Sequence, residues 1–405
     1  LDIKNFKYSF SSSLFAGITL TFFLIIYILI YLIFKSRITL NNYIIKNRYN
    51  KLQKGYFYFV DAMIAIANKD NRNASKAHKK MNKYLKEDPS LSLLLESEVY
   101  KIEKRYSDLN KTYELMIKSN KTEALGYRGL MELNLKNQDF HHAFLYGERL
   151  FNINPFIEKL YDTLLYIVAK TRNWNQLLLI TEKAYTKKII TRDTYNENKA
   201  IGYYEIAKIK SDGNPREAIK NVVKAIEMKK DFPPFVKLHL ELISRSGNFG
   251  ALKKYIKKYW YSRPSSILRS IISNIIVNNN LSDFNFINQV VKNNNDNDES
   301  KKLLIYFAIL NENWKFARDK ISGLIGSNPT KEICEFMANI ELGEFNDKQK
   351  SDLWLMRSEN SLSEDIWVCK VSNQSQQEWN SLSNSGYFNS LVLSKPKMIS
   401  SNLIK

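Results

Sequence analysis

The chain has 405 residues, 61 Lys and Arg against 41 Asp and Glu for a formal net charge of +20, 13 Gly, 8 Pro and 2 Cys. Two thiols do not make a disulfide framework, and the length is too great for one simple core unless that core is repetitive or extended. Scarce Gly and Pro, with Leu, Ile, Lys, Asn and Tyr dominant, point to a chain that is almost wholly helical.

The first element is Leu14 through Phe34, uncharged and mostly apolar. A helix over it spans about 30 Å, the thickness of a bilayer's hydrocarbon core. A cleaved signal peptide would have a shorter apolar region ending at small residues, whereas this one meets Lys35, Ser36 and Arg37. An uncleaved transmembrane helix is therefore expected over 14–34, after a short extracytoplasmic loop at 1–13. Lys35, Arg37, Lys46, Arg48, Lys51 and Lys54 follow without an acid between them, against Lys4, Lys7 and Asp2 on the other flank. The positive-inside rule then leaves the carboxyl side, beginning with a basic juxtamembrane helix over 35–56, in the cytoplasm. Because the chain starts with Leu1 and not Met, an earlier membrane segment is expected to precede it.

From 57 to 358 apolar residues recur at three and four positions, as in Leu93, Leu94, Val99 and Ile102 or Leu238, Leu240, Leu242 and Ile243. The helices fall in pairs. Second helices are expected to open near Asn73, Ser107, Asp139, Trp174, Pro215, Phe249, Ser282, Trp314 and Asp347, in steps of 34, 32, 35, 41, 34, 33, 32 and 33. That is the spacing of a helical-hairpin solenoid of about eight or nine hairpins, and about 34 is the tetratricopeptide period. Ala77, Ala143 and Ala317 each lie twelve residues before Pro89, Pro155 and Pro329, and Ala251 lies thirteen before Pro264. The small residue lets paired helices approach, and the proline, lacking an N–H, stops the second helix. With Ala218 the alanine series is complete at multiples of 33, apart from an insertion near 188–214. Asn137-Gln138-Asp139-Phe140, Arg172-Asn173-Trp174, Gly247-Asn248-Phe249, Asn313-Trp314 and Gly343-Glu344-Phe345 read as shared turns, with an aromatic plugging the gap between hairpins. Each hairpin buries its apolar face by stacking on the next, so a curved superhelix with a concave surface is expected.

Lys54-Gly55-Tyr56 leading into Ala62, Ala65 and Ala67 before Asn68-Lys69-Asp70, together with the anchor and the basic stretch, resembles the amino-terminal region of the HemY family. These are membrane-anchored tetratricopeptide proteins associated with bacterial haem biosynthesis. Asn328-Pro329-Thr330-Lys331-Glu332-Ile333-Cys334, Met337-Ala338-Asn339-Ile340-Glu341 and Trp354-Leu355 carry the resemblance into the last third. Members usually have two membrane helices, and the resemblance implies the inner membrane, a cytoplasmic repeat domain, and protein partners among tetrapyrrole-pathway enzymes. A flavin-dependent protoporphyrinogen oxidase shares the HemY name, and this chain does not resemble it.

In the tail, 359–405, Trp367-Val368-Cys369, Glu378-Trp379, Gly386 and Phe388 resemble the frame of a zinc ribbon that some relatives carry, in which two Cys-x-x-Cys pairs hold the metal. Ser372 stands where the first pair's second thiolate would fall, and 381–386 offers Ser, Leu, Asn and Gly only. Tetrahedral zinc needs four ligands, so no bound metal and a loosely packed tail are expected. His78, His141, His142 and His239 form no metal- or haem-binding spacing, and no phosphate-binding loop, Gly-x-Gly-x-x-Gly or Gly-x-Ser-x-Gly occurs. Neither a cofactor nor catalysis is expected. Cys334 and Cys369 are expected to be reduced.

Lys253, Lys254, Lys257, Lys258 and Arg263 interleave with Tyr255, Tyr259, Trp260 and Tyr261, a combination suited to acidic protein, anionic lipid or nucleic acid. Abundant Lys, Asn and Ile also fit codon bias in an AT-rich genome, with lysines on solvated helix faces. A basic body held against an anionic leaflet is drawn to membrane lipid, and the anchor and uneven spacing speak against nucleic acid. The reading is a membrane-tethered scaffold for tetrapyrrole-pathway proteins. The alternative is an anchored tetratricopeptide adaptor for envelope or lipopolysaccharide assembly.

Overall fold

The computed structural model describes residues 2–3, 6–7, 11–85, 89–326, 328–361 and 365–394. Among them are eighteen α-helices and five short strands, an all-α helical-repeat fold that carries a small antiparallel sheet near its carboxyl end. The chain forms two compact units, Leu1–Gln138 and Asp139–Lys405.

The first unit opens with a two-stranded antiparallel pairing of β1 (Asp2–Ile3) and β2 (Phe6–Lys7). It continues with α1 (Ser12–Ala67), α2 (Asn71–Tyr84), α3 (Pro89–Glu103), α4 (Tyr106–Met116) and α5 (Glu123–Lys136). The 56 residues of α1 run unbroken through the apolar and basic segments and into the first hairpin, a length of about 84 Å at 1.5 Å per residue. It is long and apolar enough to cross a membrane by length and composition, and none of its apolar window is buried. Burial begins at Gly55, Ala62 and Ala65, where α2 and α3 pack. A Cβ on Gly55 would come within 2.4 Å of Leu85 Cγ, so this close approach requires glycine.

The second unit contains α6 (Phe140–Ile153), α7 (Leu160–Thr171), α8 (Trp174–Thr186), α9 (Arg192–Lys210), α10 (Pro215–Met228), α11 (Pro233–Arg245) and α12 (Phe249–Ser262). Beyond them lie α13 (Ser266–Asn278), α14 (Phe284–Val291), α15 (Asp298–Leu310), α16 (Trp314–Ser322), α17 (Lys331–Phe345) and α18 (Lys348–Glu359). Most hairpin partners pack directly on each other, and the first helices α11, α13, α15 and α17 also lie side by side. Second helices open at Asn71, Tyr106, Phe140, Trp174, Pro215, Phe249, Phe284, Trp314 and Lys348, in steps of 35, 34, 34, 41, 34, 35, 30 and 34. The long step belongs to α9, whose 19 residues absorb the insertion.

Most turns inside the hairpins share one mechanism. A left-handed residue ends the first helix and an Asx residue starts the second, as at Lys69-Asp70, Arg172-Asn173, Gly247-Asn248, Glu312-Asn313 and Asn346-Asp347. The Asp70 N–H donates to Ala65 O, Asn173 N–H to Val168 O and Asn313 N–H to Ala308 O, which satisfies carbonyls a helix end would otherwise orphan. Asp70, Asn248 and Asp347 accept from N–H groups three residues on, each cap contributing about 1 kcal/mol. Gly343-Glu344-Phe345 differs from its expected turn, because α17 continues to Phe345 and the chain turns at Asn346. Gly343 is needed for packing: a Cβ there would lie 2.4 Å from the Trp314 ring. Trp174 is buried between hairpins, but Phe249 is exposed and plugs no gap.

Ala77, Ala143, Ala218 and Ala317 are buried and Ala251 is half-buried. Pro155, Pro264 and Pro329 lie in links that follow second helices, whereas Pro89 begins α3 and so starts a helix instead of stopping one.

Polar groups tie the first helices together. Arg269 on α13 donates to Glu299 on α15 at 2.9 Å and to Glu332 on α17 at 2.6 Å, and Lys302 reaches the same two carboxylates at 2.9 and 3.5 Å. Trp260 Nε1 donates to Ser300 Oγ at 2.9 Å. His239 Nδ1 lies 2.6 Å from Tyr259 Oη, and burial pushes the imidazole down to about 4. Burial raises the phenol, so a neutral His accepts from a protonated Tyr.

The carboxyl-terminal sheet is β3 (Ile366–Cys369), β4 (Ser375–Gln376) and β5 (Leu391–Ser394), antiparallel in the order β4-β3-β5. The loosely packed tail expected from the sequence is corrected over 365–394. Trp367, Cys369, Trp379 and Leu391 are buried in one cluster with Ala200 and Ala207 of α9, Val222 of α10, and Phe235 and Leu242 of α11. The segment is too short for a core of its own, and the repeats supply one. Two turns of the segment meet: Ser372 precedes left-handed Asn373, Ser385 precedes left-handed Gly386, and their hydroxyls lie 2.6 Å apart. Cys369 Sγ lies 3.3 Å from Ser390 Oγ.

Candidate docking site

In the second unit, three first helices and the tail enclose an open groove of about 590 Å³. Helical periodicity selects its walls. Tyr204, Lys208 and Ser211 share one face of α9 and its end, and Pro234, Lys237, Leu238, Glu241 and Arg245 share one face of α11. From α13 come Ile267 and Ile271, and the opposite wall is Trp367 with residues 377–380.

Aromatic packing fixes that wall. Trp379 stands edge-on to Phe232, Tyr204 and Phe235 with ring centroids 5.2, 5.6 and 6.0 Å away, and Trp367 lies 5.9 Å from Phe232. Polar ties add to it: Asn389 Nδ2 donates to Glu197 Oε2 at 3.2 Å, and Lys237 Nζ lies 3.8 Å from Glu378. Burial pushes the Glu205 carboxyl up, against a hydrogen bond from Ser381 and the nearby Lys208 and Arg172. The Trp379 indole N–H is buried without a hydrogen-bond partner. Arg245 pairs with Asp212 at 3.1 Å as Lys237 does with Glu378, and with Lys208 and Glu241 these charges of both signs share the lining with Leu238, Leu242, Ile267 and Ile271. Such a surface suits a peptide or protein segment better than a uniformly charged ligand.

The basic cluster lies elsewhere, on the second helix α12. Lys254, Lys258 and Arg263 are exposed, whereas Lys253 sits over the Phe286 ring at 5.2 Å and Lys257 Nζ lies 3.5 Å from Gln289 Oε1. Tyr259 and Trp260 are core residues and Tyr255 is half-buried against His239, so the aromatics give no stacking platform beside the lysines. The cause is helical spacing: 255, 256, 259 and 260 fall on the packed face, 254, 258 and 261 on the other.

The remaining candidate chemistry is dispersed. His142 donates its backbone N–H to Asp139 and its ring Nδ1 lies 2.7 Å from the same carboxylate, a helix-start contact, and the exposed His141 ring meets the His142 ring edge-on. His78 Nε2 lies 3.0 Å from Asn82 Nδ2, and burial pushes its imidazole down. Cys334 and Cys369 are both free and buried. Among the described residues no group of three or more His, Cys, Asp or Glu converges to hold a metal ion. The groove itself was missed by sequence reading, although Trp367 and Trp379, placed there in a ribbon frame, are the residues that form its wall.

No protein-family model matches the sequence, and no curated protein matches it. Among solved structures, the chain is similar to a chain in the structure of Naa15/Naa10 bound to HypK-THB, with 14% identity over 77% of this chain and 51% of that one and a TM-score of 0.43. The chain thus spans about half the length of that protein. It is also similar to a tetratricopeptide repeat protein from Parabacteroides merdae, 14% identical over 61% of this chain and 92% of that one with a TM-score of 0.29. Yeast Tom70 is 14% identical over 77% of this chain and 78% of that one, with a TM-score of 0.32.

Proposed function

We propose that this protein is a membrane-tethered, non-catalytic scaffold that docks protein partners in the groove of α9, α11, α13 and the tail. The observation that carries the reading is the groove: a half-apolar cleft of about 590 Å³, rimmed by both signs of charge, on stacked first helices. The exposed apolar part of α1 supports the tether, because in water those side chains would each forfeit about 1.5–3 kcal/mol of burial that lipid provides. Six bases without an acid in 35–54 support the cytoplasmic face of a bacterial inner membrane for the repeats. The assignment to haem biosynthesis rests on the resemblance to the HemY family. A second reading, an adaptor for envelope or lipopolysaccharide assembly, is favoured by one observation: the ribbon-like tail is folded onto the repeats.

Affinity capture of the chain from its native membrane separates the two. Recovery of porphyrin-pathway enzymes supports the first, recovery of envelope-synthesis enzymes supports the second, and a Glu241→Lys/Leu238→Asp variant is expected to lose either set. Unchanged capture by that variant removes the groove from the function.

A further inference from the structure

The strongest unassigned feature is the outer face of α2, in the first unit. Arg72, Lys76, Lys79, Lys80 and Lys83 are all exposed, and their spacing of three and four places them within an arc of about 100°. Ala74, Ala77, His78 and Met81 are buried on the opposite face. The helix holds no Asp or Glu, and none of the five bases forms an ion pair among the described residues. Asp70, the nearest acid in sequence, is engaged as the cap, accepting from Asn73. The pairs 72–76, 76–79, 76–80, 79–83 and 80–83 therefore repel, and Arg72 stands at the positive end of the helix dipole. Other basic helices mix their signs, with Glu217 and Glu227 on α10 and Asp319 on α16. On α12, which also lacks acids, Lys253 and Lys257 are engaged by Phe286 and Gln289. Codon bias supplies lysine throughout the chain and does not account for this missing relief.

We propose that the outer face of α2 docks an acidic helix of a partner protein, whose Asp and Glu recur at three and four positions and meet the five bases in turn. Two helices laid side by side present charges at the same interval, and an opposite series removes repulsion that α2 carries alone. Other occupants fit less well. α2 runs back along α1, with Leu85 against Gly55, so the near end of the stripe stands 21 residues, about 30 Å of helix, beyond Phe34. With α1 across a bilayer, that is several screening lengths above the headgroups. Single-stranded nucleic acid needs open aromatic faces, and here Tyr58 and Tyr84 stack on each other while Lys80 covers Tyr58. A second copy offers carboxylates already engaged, such as Glu98 by Lys101, Asp108 by Arg105, and Glu341 and Glu344 by Arg318. The argument against lipid rests on the tether proposed above; the surface does not depend on the groove.

The test places a photocrosslinking side chain at Lys79 in the membrane-embedded full chain and sequences the crosslinked peptide. The expected adducts are protein segments with Asp and Glu at three- and four-residue spacing, in a yield that falls about tenfold from low to high salt. Adducts to phospholipid, to RNA, to a second copy or to segments without that series overturn the proposal, as does the absence of adducts. In parallel, poly-L-glutamate serves as a probe of the detergent-solubilised chain. Lys76→Gln/Lys79→Gln/Lys83→Gln is expected to weaken its binding about tenfold, and Lys220→Gln/Lys254→Gln/Lys258→Gln, which removes the same charge elsewhere, by less than about twofold. Equal weakening by the two variants overturns the proposal, because the stripe would then act only through net charge. The glutamines on α2 relieve like-charge repulsion, so the melting temperature is expected not to fall.

Discussion

Two apolar surfaces of this protein are treated in opposite ways. Along α1, Ile45, Tyr49 and Tyr56 stand in the open, whereas on α9 and α11 the comparable side chains Tyr204 and Phe235 lie under Trp367 and Trp379 of the tail. Hairpin repeats always expose unfinished apolar faces, because each unit is completed only by a neighbour. In the second unit the chain supplies its own cover, and about 30 residues that could not fold alone become ordered by doing so. On α1 no segment of the described chain plays that part.

The contrast predicts very different costs for similar substitutions. Trp379→Ala should remove about 3–5 kcal/mol from the folded tail, as for other buried aromatics, and raise hydrogen exchange across 365–394 while leaving α13 to α17 protected. Uniform loss of protection through the second unit would show that the tail is not a separable cover. Arg269→Met should cost about 3 kcal/mol in chemical denaturation, since Glu299 and Glu332 would then share a half-buried site beside Lys302 without the guanidinium that bridges them.

Acid should act on the covered unit as well. His239 is held down at about 4 in the folded protein against about 6.5 unfolded, so the unfolded chain binds the extra proton between those values. Stability from this group is complete above about pH 6.5 and falls as pH drops toward 4, by about 3 kcal/mol at the limit. His239→Gln should flatten that part of the melting-temperature profile; an unchanged slope would assign it to other groups. Smallest of all, Tyr56→Ser on the exposed side of α1 should change folding stability by less than about 0.5 kcal/mol. A larger loss would mean that this side is already covered within one chain.

The repeats were legible in the sequence because hairpin geometry fixes their period: expected and observed second-helix starts differ by two residues or fewer, from Asn73 against Asn71 to Asp347 against Lys348. The apolar and basic segments were also plain, although their fusion into the single helix α1 was not, since nothing in Lys35-Ser36-Arg37 marks a helix end or excludes one. The tail was illegible for a physical reason. Trp367, Cys369 and Trp379 look stranded beside Ser and Asn in sequence, and their burial comes from Phe235 and Ala207, more than a hundred residues away. The groove inherited that difficulty, because half of its wall is the tail. In α12 the alternation of Lys with Tyr and Trp concealed two faces that only the packing of Tyr259 and Trp260 separates.

Docking in the groove is tested most directly by placing a photocrosslinking side chain at Lys237, on the groove face of α11, and at Lys254, on the outer face of α12, in the membrane-embedded full chain. Discrete protein adducts at 237 that are absent at 254, and that Glu241→Lys/Leu238→Asp abolishes, are the expected result. Adducts of equal yield at both positions, or none at 237 while partners are still captured, would contradict it.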